Sequence, residues 1–115
     1  MKRPIVLAVP ALVAAAAIAL PIATAGSATT VKVTGKEYKF TLSPKSVGHG
    51  KMTFKFHNAG KLSHDFKIAG KATKIILKGK SASPLTVTLK KGSYKYLCTI
   101  PGHASQGMKG TLKVT

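Results

Sequence analysis

Three side chains that bind soft metal ions lie close together near the end of the chain. Cys98, His103 and Met108 are separated by four residues each time, and Cys98 is the only cysteine in the protein. A fourth candidate, His64, lies upstream in the segment Leu-Ser-His-Asp-Phe. One thiolate, two imidazoles and one weak thioether form the donor set of a mononuclear copper site that transfers electrons. These four residues are therefore predicted to bind one copper ion.

Each of these residues also has a more ordinary interpretation. A lone methionine on a strand usually packs in the core, and a lone inward histidine is usually a hydrogen-bonded core residue. A single cysteine is unusual in a small exported domain, where cysteines normally pair as disulfides. Cys98 could be a metal thiolate, an intermolecular disulfide partner, a catalytic nucleophile or a buried inert thiol. The combination with His64, His103 and Met108 favours the metal.

The N-terminal segment has the pattern of a secretory signal peptide. Residues 1–3 include two basic side chains, residues 5–20 are almost wholly apolar, and Ala23-Thr24-Ala25 is a small-residue cleavage pattern. We expect cleavage after Ala25 or, alternatively, after Ala28. The apolar run is close to the shortest that spans a bilayer, so an uncleaved membrane anchor is the other interpretation. The pattern predicts export to the periplasm, the cell surface or the medium.

The mature part, residues 26–115, is short enough to form one domain with one modest core. The whole chain has 19 basic residues and two acidic ones; Lys2 and Arg3 lie in the leader, so the mature part has 17 lysines and a formal charge of +15. Its only acids are Glu37 and Asp65, which argues against a pair of carboxylates for general acid–base catalysis. Such a charge favours an acidic redox protein or an anionic membrane or cell wall as partner. Alternatively, the lysines only maintain solubility and protect sheet edges.

The mature region alternates between apolar and polar residues, interrupted by glycine and proline, as is typical of short β-strands. About eight such strands in 90 residues predict an all-β, Greek-key β-sandwich. The predicted strands are Val31–Val33, Tyr38–Leu42, Lys51–His57, His64–Ile68, Lys74–Leu77, Leu85–Leu89, Tyr94–Cys98 and Met108–Val114. Aromatic–lysine–aromatic triplets fit these strands, with lysines outward. They therefore do not indicate a nucleic-acid surface, and we expect no nucleic-acid partner.

Strand alternation also tests the metal hypothesis, because successive side chains point to opposite faces of a sheet. Residues with the same parity as each candidate are aromatic or aliphatic: Tyr94 and Tyr96 for Cys98, Phe66 and Ile68 for His64, and Leu112 and Val114 for Met108. Pro101 and Gly102 restrict the intervening loop, which allows His103 to fold back beside Cys98. His57 has outward parity and His49 lies in a turn, so both are predicted at the surface.

The segment Cys-Thr-Ile-Pro-Gly-His, within the Cys-x4-His-x4-Met spacing at 98–108, resembles the C-terminal ligand loop of small cupredoxins such as plastocyanin, azurin and auracyanin. Residues 54–66 resemble the strand and loop that carry the first histidine ligand in that family. The resemblance implies an equatorial set of His64, Cys98 and His103. It implies that Met108 is a weak axial ligand and that the edge of His103 passes the electron.

Two residues depart from the family pattern. Asp65 stands where the family often has asparagine, and it is able to accept hydrogen bonds from Thr99. Ser63 stands where azurins have a glycine whose carbonyl approaches copper, so a fifth ligand is not expected. These differences leave copper binding as the expectation but do not predict the reduction potential.

The ligand set and the resemblance favour a one-electron carrier, and we expect a monomer that is not an enzyme. A Cys98–His103 nucleophile and base pair would leave His64 and Met108 unexplained. Two alternatives stay open. One is a module that stores or delivers copper without redox turnover, and the other is a cationic adhesion domain that needs no metal.

Overall fold

The computed structural model describes residues 28–115, which form nine β-strands and one short 3₁₀ turn at Ala104–Gln106. The strands are β1 (Thr29–Lys36), β2 (Lys39–Ser43), β3 (Ser46–Val47), β4 (Gly50–Asn58), β5 (Lys67–Ile68), β6 (Lys71–Ala72), β7 (Leu85–Leu89), β8 (Gly92–Leu97) and β9 (Lys109–Val114). None of the helical structure in this range is long and apolar enough to cross a membrane. The predicted signal peptide, residues 1–25, lies outside the described residues.

The strands form two sheets that pack face to face. One sheet has the order β2-β1-β4-β7, and the other has the order β3-β9-β8-β5-β6. Most neighbours are antiparallel, but β1 pairs in parallel with β4, and β3 pairs in parallel with β9. Non-consecutive strands are therefore neighbours in both sheets, and the predicted all-β sandwich is confirmed.

The core lies between the two sheets and follows the predicted alternation. In β4 the side chains of Met52, Phe54, Phe56 and Asn58 are buried, whereas Lys51, Lys55 and His57 are exposed. All 17 lysines of residues 28–115 are exposed. The period of two thus separates an interior of aromatic and aliphatic side chains from an exterior that carries all of these lysines.

The predicted strand His64–Ile68 is much shorter in the structure. Only Lys67–Ile68 of the segment 64–68 is a strand, and His64, Asp65 and Phe66 are all buried in succession. A regular strand cannot bury three consecutive side chains on one face. Apart from the single bridge between His64 and Ile76, this segment bonds to neighbouring loops: Phe66 N–H donates to the Thr73 hydroxyl, and the Asp65 carboxylate accepts from the Thr99 N–H.

The segment 74–77 is not a strand, although it was predicted as one. Ile75 and Leu77 are 60% and 62% exposed, and only Ile76 makes a bridge, to His64. The apolar run Ile75-Ile76-Leu77 has the composition of a strand, but it lacks a neighbour on which to form a ladder. The short strands β3 and β6 were not predicted, β7 has the predicted bounds, and the other predicted strands differ from the observed ones at their ends by up to three residues.

Candidate metal centre

Three of the four predicted ligands converge at one end of the sandwich. His64 Nδ1 lies 3.1 Å from His103 Nδ1 and 3.9 Å from Cys98 Sγ. Cys98 Sγ lies 3.7 Å from His103 Nδ1. Each residue therefore directs one nitrogen or sulfur atom to a common centre, and these atoms all lie within 4.8 Å of one another.

The spacing of these atoms matches a trigonal site for one metal ion. Typical bonds to a divalent ion such as zinc are about 2.0 Å from imidazole nitrogen and about 2.3 Å from thiolate sulfur. At 120° angles these bonds place the nitrogens about 3.5 Å apart and each nitrogen about 3.7 Å from the sulfur. The observed 3.1, 3.7 and 3.9 Å are close to these values. The donor set of one thiolate and two imidazoles suits copper.

His64 is held by its backbone and by the side chain of Asn58. Its N–H donates to the carbonyl of Ile76 (3.1 Å), and its own carbonyl accepts from the Ile76 N–H (2.8 Å). The amide of Asn58, which is fully buried, donates to the carbonyls of Leu62 and Ile76, each at 2.8 Å, and accepts from the Gly60 N–H at 2.9 Å. The loop that carries His64 is therefore tied to Asn58 through Gly60 and Leu62, and to Ile76 through His64 itself.

The outer nitrogen of His64 contacts a carboxylate that the sequence did not single out as a site residue. Glu37, in the turn between β1 and β2, places Oε2 2.5 Å from His64 Nε2. The backbone N–H groups of Lys61 and Leu62 also donate to this carboxylate, at 2.8 and 3.0 Å. These donors, first of all the Lys61 N–H, lower the pKa of Glu37 to about 2. The group is therefore an anion at neutral pH.

Cys98 directly follows β8 and is buried. Its N–H donates to the carbonyl of Met108 (3.1 Å), which joins the two ends of the ligand loop. Burial raises the pKa of the Cys98 thiol, so a metal ion must displace its proton on binding. Asp65 accepts hydrogen bonds from the Thr99 N–H (2.6 Å) and from the Thr99 hydroxyl. The predicted contact between Asp65 and Thr99 is therefore present.

His103 lies in a compact turn and is the one member of the donor cluster that is only half-buried. Its N–H donates to the carbonyl of Ile100 (3.0 Å), and its carbonyl accepts from the Met108 N–H (3.1 Å). The ring of Tyr38 contacts the His103 ring edge-on, with centroids 5.3 Å apart. These contacts orient the imidazole while leaving part of it accessible.

Met108 is completely buried. Its terminal methyl group lies 3.1 Å from the position that a Cβ would occupy on Gly35, so the side chain extends beneath β1. Its role as a fourth, axial ligand stays a prediction.

His49 and His57 lie outside the donor cluster, as expected. Both are exposed: His49 is hydrogen-bonded to the Thr115 carbonyl, and His57 is hydrogen-bonded to the Ser81 hydroxyl.

Similarity to known proteins agrees with this geometry. Residues 27–115 match the family described as copper binding proteins, plastocyanin/azurin family. Auracyanin-B of Chloroflexus aurantiacus is 49% identical over 43 residues, which cover 37% of this chain and 18% of auracyanin-B. The chain thus spans only about a fifth of that curated relative.

Solved structures show the same fold. The reduced auracyanin of Roseiflexus castenholzii has a TM-score of 0.64 at 23% identity, covering 78% of this chain and 99% of that one. Rusticyanin of Thiobacillus ferrooxidans has a TM-score of 0.60 at 24% identity, covering 77% and 79%. The chain therefore belongs to the plastocyanin/azurin family of copper-binding proteins, with His64, Cys98 and His103 arranged as a metal site.

Proposed function

We propose that this protein is an exported one-electron carrier, not an enzyme, in which His64, Cys98, His103 and Met108 bind a single copper ion. The observation that carries the proposal is the convergence of two imidazole nitrogens and one sulfur at 3.1–3.9 Å on a tightly hydrogen-bonded frame. When bound, copper supplies a couple between Cu(II) and Cu(I). The remaining requirements for electron transfer fall on the chain itself.

The frame limits the movement of the ligands. His64 is held by two backbone hydrogen bonds to Ile76, and Cys98 is held by one to Met108. Fixed ligands keep the same positions in both oxidation states, so little structural rearrangement accompanies a change of charge. Burial of Cys98 and His64 also excludes water from the donor atoms, with exposures of 1% and 0%.

The half-buried ring of His103 supports a role as the route for the electron. It is the accessible member of the three-residue cluster, and Pro101, Gly102 and Ala104 beside it are uncharged and small. A partner that docks at this end approaches the imidazole edge directly. The edge contact with Tyr38 keeps the ring from rotating away.

The copper spectrum and its redox kinetics test this proposal. The mature protein with one equivalent of Cu(II) should show an intense visible band from the Cys98 thiolate. Cys98→Ser should abolish the band. His57→Ala is the matched control, because His57 is exposed and outside the donor cluster, and it should keep the band.

Stopped-flow reduction and reoxidation with small inorganic reagents then separates the carrier from a copper-delivery module. A carrier is reduced and reoxidised rapidly with copper retained. Slow redox turnover, with ready loss of copper to a competing chelator, would support delivery instead. A colourless wild-type protein with copper bound would refute the ligand assignment.

The basic exterior supports an acidic partner. Every one of the 17 lysines in residues 28–115 is exposed, and a charge of this size steers association toward acidic surfaces. Electron transfer to acidic redox proteins should slow steeply as salt reduces the screening length from about 10 Å at 0.1 M to about 3 Å at 1 M. If the rate of electron transfer did not depend on salt, the lysines would have a role in solubility only.

Export is proposed from the leader alone. The basic start, apolar run and small residues before Ala25 support cleavage and secretion of the remaining domain. Mass spectrometry of the protein recovered from the producing cells and their medium tests this. A mature N-terminus near residue 26 supports cleavage, and an intact N-terminus in the membrane fraction supports the anchor.

A further inference from the structure

The only two acidic residues of the chain both lie against the metal site. Asp65 accepts from Thr99 beside Cys98, and Glu37 accepts from His64. Among residues 28–115, no lysine forms an ion pair with either carboxylate, although 17 lysines are present. Both negative charges are therefore directed to the ligand loops instead of to the basic surface.

Glu37 is held in place by the backbone around it. Its two oxygens accept from Lys61 N–H, Leu62 N–H and His64 Nε2, and its side chain is only 20% exposed. The carboxylate also lies against the Cα of Gly60, where an added Cβ would come within 2.8 Å of Glu37 Cδ. Gly60 therefore provides the space that the carboxylate occupies.

This contact determines which nitrogen of His64 is available to a metal. An ionised carboxylate only accepts hydrogen bonds, so the His64 nitrogen that faces it, Nε2, must carry the proton. With the proton on Nε2, the nitrogen left to bind a metal is Nδ1, the atom that faces Cys98 and His103. Histidine ligands commonly donate their second N–H to a carboxylate, which orients the ring and increases its basicity.

We propose that Glu37 is a positioning residue that holds His64 with its Nδ1 lone pair toward the metal and whose negative charge favours Cu(II) over Cu(I). The inference rests on the ligand set proposed above. A negative charge on the far side of the ring stabilises the ion of higher charge more than the ion of lower charge. Removing it should therefore weaken Cu(II) binding more than Cu(I) binding.

The test compares the wild type with Glu37→Gln, Gly60→Ala and Gly48→Ala. Glu37→Gln removes the charge at nearly constant shape. Gly60→Ala keeps the glutamate but displaces the end of its flexible side chain. Gly48→Ala is the matched control, because no atom lies within 4 Å of the added Cβ and the backbone is not left-handed.

The first measurement is the ratio of Cu(II) to Cu(I) affinity, obtained by chelator competition and by redox titration. Loss of such a carboxylate partner typically changes metal affinity at least about tenfold. We expect the ratio to fall about tenfold in Glu37→Gln, which raises the potential by about 59 mV for one electron. Gly60→Ala should shift the ratio in the same direction, and Gly48→Ala should not shift it.

The second measurement needs no copper. Nitrogen NMR of the His64 ring in metal-free protein should show a proton on Nε2 in the wild type and a mixture of tautomers in Glu37→Gln. If Glu37→Gln does not fold, the role of Glu37 is tested by the same two measurements on Gly60→Ala and Glu37→Asp. The aspartate side chain is one methylene shorter, so its carboxylate cannot reach His64 in the same way.

Two outcomes separate this inference from the proposed function. Unchanged affinity ratios and an unchanged His64 tautomer in the variants, with only a loss of stability, would show that Glu37 merely ties two loops together. In that case the blue site of the wild type still stands. A wild-type protein that forms no blue site with copper would instead overturn the proposed function.

Discussion

The buried amide of Asn58 should contribute strongly to stability. It forms three hydrogen bonds of 2.8–2.9 Å, two as donor to the carbonyls of Leu62 and Ile76 and one as acceptor from Gly60 N–H. Each such bond contributes about 1 kcal/mol net, and the loss of the Asn58 side chain also removes the acceptor of the Gly60 N–H. Asn58→Ala should therefore lower the free energy of unfolding by about 3 kcal/mol or more.

This loss is large for a domain of 88 described residues. Small domains are stable by only about 5–15 kcal/mol, and each kcal/mol corresponds to about 4–8 °C in the midpoint of thermal unfolding. The midpoint of Asn58→Ala should fall by about 12 °C at least. Unfolding is best measured on reduced, metal-free protein by denaturant titration and by heating, because bound copper would add stability of its own.

His57→Ala provides the matched control, since it alters the neighbouring residue of the same strand. Its hydrogen bond to the Ser81 hydroxyl is exposed, and we expect a change within about 0.5 kcal/mol. Asn58→Asp keeps the acceptor for Gly60 N–H but loses both donors, so it should lose most of the stability lost in Asn58→Ala. The reasoning is wrong if Asn58→Ala loses no more stability than the control.

Two further changes probe the predicted axial role of Met108 and the packing around it. Met108→Gln should keep copper but change its visible spectrum and potential, because the axial ligand tunes such sites; a loss of copper as complete as in His64→Ala would show that Met108 is not a weak ligand. Gly35→Ala should reduce stability by about 1–3 kcal/mol, since its Cβ would lie 2.7 Å from the Phe56 ring and 3.1 Å from the Met108 methyl. If denaturant titration gave Gly35→Ala the same free energy of unfolding as the wild type, the close packing described at this position would be contradicted.

The donor cluster was predictable because its geometry is mostly local. Four residues separate Cys98 from His103, and a turn at Pro101 and Gly102 within so short a segment returns the imidazole to the neighbourhood of the thiol. His64 was predictable from its strand-like parity with Phe66 even though no strand forms there, because both side chains are buried for a different reason. The apolar pattern around His64 therefore led to the correct prediction that His64 points inward and also to the wrong prediction of a strand at 64–68.

Glu37 was not predictable in the same way. It lies 27 positions before His64, and its approach depends on how the turn between β1 and β2 folds over the loop at residues 60–62. No periodicity encodes that contact. The one available signal was compositional: an acid is rare in this chain. The prediction of a strand at 74–77 failed for a different reason. Apolar residues such as the exposed Ile75 and Leu77 indicate a strand only where a neighbouring strand is available to pair with them.

The inward direction of both carboxylates affects how identical molecules meet. With its acids committed to the ligand loops and all 17 lysines exposed, residues 28–115 present few anionic groups to a second copy. Two such surfaces repel each other at low salt. For the one-electron carrier proposed above, we therefore expect slow electron exchange between copies of the protein at low salt. Under this proposal, an acidic partner would accept the electron faster than a second copy of the protein would.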